Sequence, residues 1–333
     1  MKDEILSRIQ KKFPLVEKPF EVIANELNMS EDEVLEILQE QKKANIIRQT
    51  SAIFDTKRLG YISSLVAFKI PSEKISAAVK IINSHPGISH NYERNHDFNI
   101  WFTLAVAPDS KFGLEKTLEI LAELTEAQDY IMLPTLKLFK INVKLNTTGK
   151  DEKKEDVKKV VHTDIEMTDL HHAIVRRAQY DIDIVSEPFK GIIDDLEIDY
   201  DKFFSILQEL QEAGVMRRFA SILNHRKAGF SANAMVVWDV EDGEKGEEIG
   251  ANAAAFSAVS HCYLRPKYPN WPYNLFTMVH GKTTEETNGI IEEMAKEIDS
   301  KKHMPLYSSR EFKKVRIEYF TPEFEAWESQ YAN

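Results

Sequence analysis

Cationic, imidazole and aromatic side chains are concentrated in two stretches of the second half of this sequence. The two sets are Arg217, Arg218, His225, Arg226 and Lys227, and then His261, Tyr263, Arg265, Lys267, Tyr268, Trp271, Tyr273 and Asn274. Guanidinium and ammonium groups bind carboxylates, and aromatic faces pack against flat apolar rings. A neutral imidazole can also ligate iron. The mixture therefore indicates a site for a large planar ligand that carries several carboxylates.

Other catalytic chemistries lack their sequence signatures. The sequence contains no Gly-x-Gly-x-x-Gly, no Walker A loop, no His-Glu-x-x-His and no Gly-x-Ser-x-Gly. Cys262 is the only cysteine, which excludes an internal disulfide, an iron–sulfur cluster and a multi-cysteine zinc site. Any redox-active metal must therefore arrive with a ligand.

The sequence follows one plan twice. Gly60 lies 41 residues after Pro19, and Gly229 lies 41 residues after Pro188. The matching segments are IRQTSAIF (47–54) with MRRFASIL (216–223), ISHNYER (88–94) with VSHCYLR (259–265), and NIWF (99–102) with NLFT (274–277). The two halves, 1–146 and 165–333, are therefore expected to share one fold.

The repeat extends the candidate site into the first half. The first-half candidates for substrate binding are Arg48, His90, Arg94, His96 and Trp101. The second half has Arg218, His225 and a four-residue insertion that the first half lacks. We therefore expect the better-formed pocket in the second half, with residues of the first half completing or covering it.

Apolar periodicity predicts the elements that position these residues. Each repeat opens with three short helical patterns, and Ser30 followed by Glu33 predicts a capping box for the third helix, as in a helix-turn-helix. Strands are predicted at 61–70, 87–94, 98–107 and 136–145, with helices at 72–84 and 109–125. This order is ferredoxin-like (βαββαβ). The predicted fold is α+β, a tandem repeat of a helix-turn-helix and a ferredoxin-like domain, which resembles the Lrp/AsnC plan.

The same patterns predict the domain boundaries. The expected domains are a helix-turn-helix at 1–48, a ferredoxin-like domain at 49–146, a charged linker at 147–164, a second helix-turn-helix at 165–216 and a second ferredoxin-like domain at 217–333. The linker is dense in charge and poor in large apolar residues, as a solvated connection should be.

Charge argues against nucleic acid as the partner. The net charge is −11, and the predicted recognition helix between Ser30 and Glu40 carries five acidic residues and no basic one. Phosphate would be repelled by such a helix, so no DNA binding is expected. The N-terminus shows no signal-peptide pattern and no apolar run reaches the length of a membrane span, so we expect a cytoplasmic protein without membrane contact.

Two long strings carry a family resemblance. Residues 90–102 (HNYERNHDFNIWF) resemble the signature of one siroheme decarboxylase subunit. The segments RRF (217–219), HRKAGF (225–230), SHCY (260–263) and YPNWPYNLFT (268–277) resemble that of the partner subunit. The chain therefore resembles both subunit types fused, an intramolecular pseudo-heterodimer that could still form a homodimer.

The resemblance implies a decarboxylase that converts the acetate arms on two rings of siroheme to methyl groups, on the route to haem or haem d1. Beyond the iron of its substrate, no cofactor is expected. We hypothesise that Arg217, Arg218, Arg226 and Lys227 hold substrate carboxylates. His225 or His261 is expected to act as the general acid or as an axial ligand to the substrate iron, and Tyr263 to orient the reacting arm.

Two other functions remain open from the sequence. One is a transcriptional regulator of the Lrp/AsnC type with haem as its effector, against which the acidic recognition helices argue. The other is a non-catalytic carrier of haem or siroheme, whose carboxylate-binding residues would be the same as those of the enzyme.

Overall fold

The computed structural model describes residues 2–141, 163–223 and 232–332. The first half contains α1 (Lys2–Lys11), α2 (Pro19–Leu27), α3 (Glu31–Lys43), β1 (Ile47–Phe54), β2 (Ile62–Lys69), a short 3₁₀ helix (Ser72–Lys74), α4 (Ile75–Ser84), β3 (Ile88–Arg94), β4 (Ile100–Val106), α5 (Gly113–Leu124), β5 (Asp129–Leu133) and β6 (Lys137–Ile141). The second half contains α6 (Asp169–Ala178), α7 (Lys190–Leu196), α8 (Tyr200–Glu212), β7 (Met216–Leu223), β8 (Ala232–Asp239), α9 (Glu244–Ala255), β9 (Val259–Leu264), β10 (Leu275–Gly281), α10 (Thr284–Glu297), β11 (Lys302–Lys314) and α11 (Glu323–Tyr331). The predicted tandem α+β fold is confirmed.

Spatial contacts divide the chain into two compact units that both draw on the two halves. The described residues of the helical unit come from Met1–Tyr61, Glu155–Arg226 and Glu318–Pro322. Those of the sheet unit come from Ile62–Lys154, Lys227–Ile317 and Glu323–Asn333. Residues 147–162 of the predicted linker lie outside the described part of the chain. Among the described residues, no helix has the length and apolarity needed to cross a bilayer.

The helical unit contains the two three-helix bundles and a two-stranded sheet in which β1 pairs antiparallel with β7. The capping box predicted for α3 is confirmed. The Ser30 backbone N–H donates to Glu33 Oε2 at 2.8 Å, and the Glu33 N–H donates to Ser30 Oγ at 3.3 Å. These bonds satisfy backbone groups that have no partner inside the helix. Phe13, Phe189 and Phe219 form an aromatic contact between the two bundles.

The sheet unit is built from two antiparallel half-sheets with equivalent strand orders. The first half contributes β5-β2-β4-β3, and the second contributes β11-β8-β10-β9. On the outer face of the first half-sheet, Val66, Phe68 and Phe102 pack against helices α4 and α5. Helices α9 and α10 cover the second half-sheet in the same way, above Val236 and Val279. Side chains alternate along a strand, so the opposite face of each half-sheet presents a different set of residues.

Those opposite faces form a shared core, here called the inter-sheet face. Its buried residues come from both halves: Ala67, Phe98, Trp101, Ile131 and Leu133 from the first, and Met235, Val237, Trp271, Phe276 and Leu306 from the second. The two half-sheets therefore pack face to face through apolar side chains, as in other two-layer β structures.

The last strand of each half extends into the sheet of the other half. In β11, Lys302–Tyr307 pair with β8 of the same half, and Ser308–Lys314 pair with β3 of the first half. In the first half the equivalent strand is broken at Pro134 into β5, which pairs with β2, and β6, which pairs with β9.

The pairing of β6 with the second half shows that one strand was predicted in the wrong half-sheet. The stretch 136–145 was expected to complete the first ferredoxin-like sheet, but its described part, Lys137–Ile141, pairs with β9 of the second half. Residues 142–145 lie outside the described residues. The strand that completes the first half-sheet is Asp129–Leu133, which the sequence interpretation missed because it is short, starts with an acid and stops at a proline.

Replacing Gly250 by alanine tests the docking of the exchanged strand. A Cβ at this position in α9 would lie 2.4 Å from the Phe139 ring of β6, so overpacking should lower the free energy of unfolding by about 1–3 kcal/mol. At Gly289 in α10 a Cβ meets nothing within 4 Å, and Gly289→Ala should instead stabilise by about 0.5–1 kcal/mol. Urea denaturation measures both. A Gly250→Ala protein as stable as Gly289→Ala would contradict the docking of Phe139.

Candidate active site

A column of polar side chains lies on the inter-sheet face of β3. His90 pairs with Thr103 of β4, and Tyr92 pairs with Trp101. Residues that pair directly across two strands share a face, and Trp101 belongs to the core of the inter-sheet face. His90, Tyr92 and, by alternation, Arg94 therefore point toward the other half-sheet.

An equivalent column lies on β9. His261 pairs with Met278 of β10, and Tyr263 pairs with Phe276, a buried residue of the inter-sheet face. Arg265 follows by the same alternation. Both halves thus present a histidine, a tyrosine and an arginine at the same positions of the same strand.

A β-bulge precedes each of the two histidines. The register shifts between Ile88 and His90 in β3, and between the partners of Met278 and Val279 in β9, which leaves Ser89 and Ser260 as the extra residues. The Ser89 hydroxyl hydrogen-bonds His90 Nδ1 at 2.9 Å, and the Ser260 hydroxyl hydrogen-bonds His261 Nδ1 at 2.7 Å. Bulges re-aim side chains next to active sites. Here they orient each imidazole and leave its Nε2 available to a ligand.

Burial and neighbouring charge keep both imidazoles neutral. Burial lowers the pKa of His90, and Lys314 lowers it further, while Glu311 opposes these effects. Burial also lowers the pKa of His261, and the nearby charge of His90 adds to this effect. This effect of His90 on His261 indicates that the two histidines lie near one another although they belong to different halves. Near neutral pH each is therefore a neutral imidazole.

Each column ends in a buried arginine for which the described residues provide no counter-ion. Arg94 and Arg265 are only 7% and 9% exposed. Arg94 Nη1 donates to the Leu306 carbonyl oxygen at 2.8 Å, and Arg265 Nη1 donates to the equivalent carbonyl of Leu133. Burial lowers the pKa of each guanidinium to about 10. Within the described part of the chain no carboxylate pairs with either group, and both Nε atoms lack a partner.

A buried cation without a counter-ion destabilises the empty protein and favours an anionic ligand. The arginines lie over the tyrosines of their own columns, with the guanidinium carbon 5.5 Å from the Tyr92 ring centre and 4.8 Å from that of Tyr263. Burial, reinforced by Glu311, raises the pKa of Tyr92 to about 12, and burial also raises the pKa of Tyr263. Both phenols therefore stay protonated and can donate hydrogen bonds.

The insertion of the second half packs on residues of the first. The Trp271 ring lies 5.3 Å from the rings of both His96 and Trp101, and 5.1 Å from that of Tyr273. Trp101 Nε1 donates to the Phe98 carbonyl at 2.6 Å, whereas the buried Trp271 Nε1 has no partner among the residues that the structure describes. His96, Trp101, Trp271 and Tyr273 thus form one aromatic group contributed by both halves.

The two columns differ in the strand that lies beside them. The cross-strand pairs are Tyr92–Glu311 and His90–Lys314 on one side, and Tyr263–Leu138 and His261–Ile141 on the other. The first histidine therefore has charged neighbours, and the second has apolar ones.

The other predicted residues of the insertion have structural partners. Lys267 Nζ donates to Asp239 Oδ1 at 2.8 Å, and the Tyr268 hydroxyl donates to the Met132 carbonyl at 2.5 Å. The buried Asn274 side chain bonds both the N–H and the carbonyl of Val240, as Asn99 does with Ile70 in the first half. These contacts hold strands together and favour a supporting role.

Three predicted cations belong to the helical unit. Arg48 in β1 and Arg217 and Arg218 in β7 are exposed, and Arg217 forms an ion pair with Asp55 at 2.8 Å. Three further predicted residues, His225, Arg226 and Lys227, lie outside the described residues.

Several residues that lie beside the two columns were not among those predicted from the sequence. The paired serines Ser89 and Ser260 had a usable signal, since Ser-His recurs at the same place in both halves. No sequence signal pointed to Glu311 and Lys314 of β11 or to His280 of β10. These residues lie near the columns only because segments that are distant in sequence pair as strands.

Comparisons with known proteins agree with this architecture. Residues 58–140 and 227–313 match the AsnC-like ligand binding domain, and residues 2–48 match the siroheme decarboxylase NirDL-like HTH domain. The chain is 42% identical to the siroheme decarboxylase of Hydrogenobacter thermophilus over 98% of this chain and 96% of that protein. It is also 42% identical to the siroheme decarboxylase beta subunit of Methanosarcina barkeri, over 43% of this chain and 94% of that subunit.

A solved structure matches over nearly the whole chain. The crystal structure of the siroheme decarboxylase NirDL in co-complex with an iron-uroporphyrin III analogue has a TM-score of 0.81 and 36% identity, and the match covers 98% of this chain and 97% of that one. Fold and site together define a protein of the AsnC-like class whose two ligand-binding domains are carried on one chain. More narrowly, the chain belongs to the siroheme decarboxylase family, as its sequence strings indicated.

Titration by NMR tests the proximity of the two histidines. The pKa values of His90 and His261 should both lie below 6.5, and His90→Ala should raise the pKa of His261 because it removes a group that becomes positively charged as the pH falls through the same range. The control is His303→Ala, since His303 stacks on Trp238 on the opposite face of the sheet. If His90→Ala left the His261 titration unchanged, the two imidazoles would not share a site.

Proposed function

We propose that this protein is a siroheme decarboxylase, a carboxy-lyase that removes carbon dioxide from two acetate arms of siroheme to give didecarboxysiroheme. The observation that carries the proposal is the pair of buried arginines that have no counter-ion in the described part of the chain, beside two neutral histidines on the inter-sheet face. Such a face suits a flat ligand with carboxylate arms. The named relatives and the NirDL complex with an iron-uroporphyrin III analogue support the same substrate class.

The chemistry requires an electron acceptor and a proton. The bond between the acetate methylene carbon and its carboxylate breaks, and its electron pair passes into the conjugated macrocycle. A proton then joins the methylene carbon to complete a methyl group, so each carbon dioxide released consumes one proton. The substrate accepts the electrons itself. The scheme therefore adds no cofactor beyond the iron that the substrate carries.

The protein's task is to bind, orient and protonate. Arg94 and Arg265 provide positive charge for carboxylates that must not react, and Tyr92 and Tyr263 orient the arms with phenol hydrogen bonds. His261 and His90 are the proposed proton donors, each through the Nε2 that its serine leaves available, while Nδ1 takes up a proton through that serine so that the imidazole stays neutral. A nitrogen bound to iron could not donate a proton at the same time, so this assignment excludes axial ligation during the proton-transfer step.

We do not propose DNA binding. Besides its acidic sequence, α3 is engaged by the segment before α7: Ser186 donates to Glu31 at 2.9 Å, and Gln39 donates to the Ile184 carbonyl at 2.9 Å. Lys42 forms an ion pair with Asp181. A recognition helix must instead present its surface to the major groove. Formation of a homodimer by this fused chain remains a prediction.

Anaerobic incubation with siroheme, followed by mass spectrometry, tests the function. The wild-type protein should release two equivalents of carbon dioxide per siroheme. His261→Ala and His90→Ala should each slow the release by about 10²–10⁴-fold, because each removes a proton donor. His303→Ala should behave as the wild type. Wild-type protein that binds siroheme but releases nothing would favour the carrier, and a His261→Ala protein of unchanged rate would remove that residue from the catalytic set.

Substrate binding tests the two arginines. Arg94→Gln and Arg265→Gln should each weaken binding of iron-uroporphyrin about tenfold or more, since a hydrogen bond to a charged group contributes about 1.5–3 kcal/mol. Arg310→Gln is the matched control, because Arg310 already has a carboxylate partner in Glu93. Absorption titration gives the dissociation constants. Equal constants for all three variants and the wild type would contradict the proposed carboxylate contacts.

A further inference from the structure

A chain of hydrogen bonds leads away from His261 on the inter-sheet face. Ser260 Oγ lies 2.7 Å from His261 Nδ1 and 2.5 Å from His280 Nε2. His280 Nδ1 in turn lies 2.7 Å from Asn233 Oδ1. Four side chains from strands β8, β9 and β10 are thus connected without a gap.

Strand register explains why these groups meet. His280 lies two residues after Met278 on β10, so the two side chains share the inter-sheet face, and Met278 is the partner of His261. The bulge at Ser260 brings its hydroxyl between the two imidazoles. Ser260 is buried, His280 is half-buried, and Asn233 at the far end is exposed. The hydrogen-bond chain therefore joins the buried serine to the solvent-exposed edge of the site.

Within the described residues, the first half has no such chain of hydrogen bonds at the equivalent place. Ala105 is the residue of β4 that corresponds to His280, and its partner on β2 is Ser63, where β8 has Asn233. In the first half, the Ser89 hydroxyl hydrogen-bonds His90. The hydrogen-bond chain is therefore a feature of the second half, and the general symmetry of the fold does not account for it.

We propose that His280 is a proton relay that supplies His261 Nδ1 with a proton through the hydroxyl of Ser260 while His261 Nε2 gives up its own. The proposal rests on the proposed decarboxylation, in which every carbon dioxide released consumes one proton. A serine hydroxyl can accept a hydrogen bond from one imidazole while it donates to the other, which is the property a relay requires. No electron is exchanged with the protein, and no further reactant is needed.

The proton movements balance as follows. His261 gives its Nε2 proton to the methylene carbon as that carbon becomes a methyl group. The Ser260 hydroxyl proton moves to His261 Nδ1, and the Nε2 proton of the His280 imidazolium moves to Ser260 Oγ. His280 is left neutral with its Nδ1 proton directed at Asn233, and His261 is left with its proton on Nδ1. Before the next arm reacts, His261 Nε2 takes up a proton from water and the Nδ1 proton returns through Ser260 to His280 Nε2, which restores the starting state.

The groups around His280 suit rapid transfer. It faces His261 and Ser260 from β9 and Asn233 from β8. Burial lowers the pKa of His280, and the charge of His261 lowers it further. An imidazolium in this position gives up its proton more readily than one in water.

Two substitutions separate proton relay from simple positioning of Ser260. Alanine at position 280 removes both functions, whereas glutamine keeps a hydrogen-bonding group near the position of Nε2 but cannot carry a proton. His280→Ala and His280→Gln should therefore both slow single-turnover decarboxylation about tenfold, less than the ~10²–10⁴ of direct proton donation. Added imidazole should restore the rate of His280→Ala alone, because only alanine leaves space for it.

The serines supply a matched comparison. Ser260→Ala should slow the reaction as much as His280→Ala, and the double variant should be no slower than either single one, as expected for residues that act in one pathway. Ser89→Ala should slow the reaction less, since among the described residues no second histidine bonds Ser89. A His280→Gln protein with wild-type rate would overturn the relay in favour of positioning. So would a His280→Ala protein of wild-type rate.

A measurement without substrate distinguishes the relay from the proposed function. Exchange of the His261 ring proton with water, followed by NMR, should be slower in His280→Ala than in the wild type. Unchanged exchange would overturn the relay even if siroheme is decarboxylated. Wild-type protein that releases no carbon dioxide would overturn the proposed function, whereas slowed exchange in His280→Ala would still support the hydrogen-bonded path.

Discussion

The antiparallel pairing of β11 with both β8 and β3 is the interaction on which the remainder of the sheet unit depends. One strand of thirteen residues supplies backbone hydrogen bonds to two half-sheets, and β5 and β6 reproduce the arrangement around Pro134. Exposed strand edges are prone to pair with other chains. Here the edges of β3 and β9 are covered by the opposite half. The same pairing sets the register of the two columns that carry His90 and His261.

The site follows from this register together with two local irregularities. A regular ladder would alternate serine and histidine onto opposite faces, and the bulges allow Ser89 and Ser260 to reach the imidazoles that follow them. The buried arginines are then held by carbonyls of Leu306 and Leu133, which occupy equivalent places in the exchanged strands. Backbone carbonyls of each half thus hold the arginine of the other half, and these arginines are the groups to which we assign substrate binding.

Local patterns predicted most of the fold and part of the site. Helical periodicity and the Ser30–Glu33 box were sufficient for the three-helix bundles, because these elements depend on contacts within a few residues. The repeat identified His90, Arg94, His261 and Arg265 as equivalent candidates. Strand β5 and the partner of β6 could not be predicted, since short apolar runs do not specify which distant strand they join. His280 and Glu311 were missed for the same reason.

The fusion of two halves also has a consequence for how the protein can change over evolutionary time. In an assembly of two identical chains, any substitution appears on both sides of the symmetry axis. In a single chain that contains both halves, a substitution appears on one side only. The residues beside His90 and His261 already differ: Glu311 and Lys314 lie beside one column, and Leu138 and Ile141 lie beside the other. Each molecule therefore contains one histidine with charged neighbours and one with apolar neighbours. Two unlike positions can therefore specialise for successive arms of one substrate without any risk that mismatched subunits will pair.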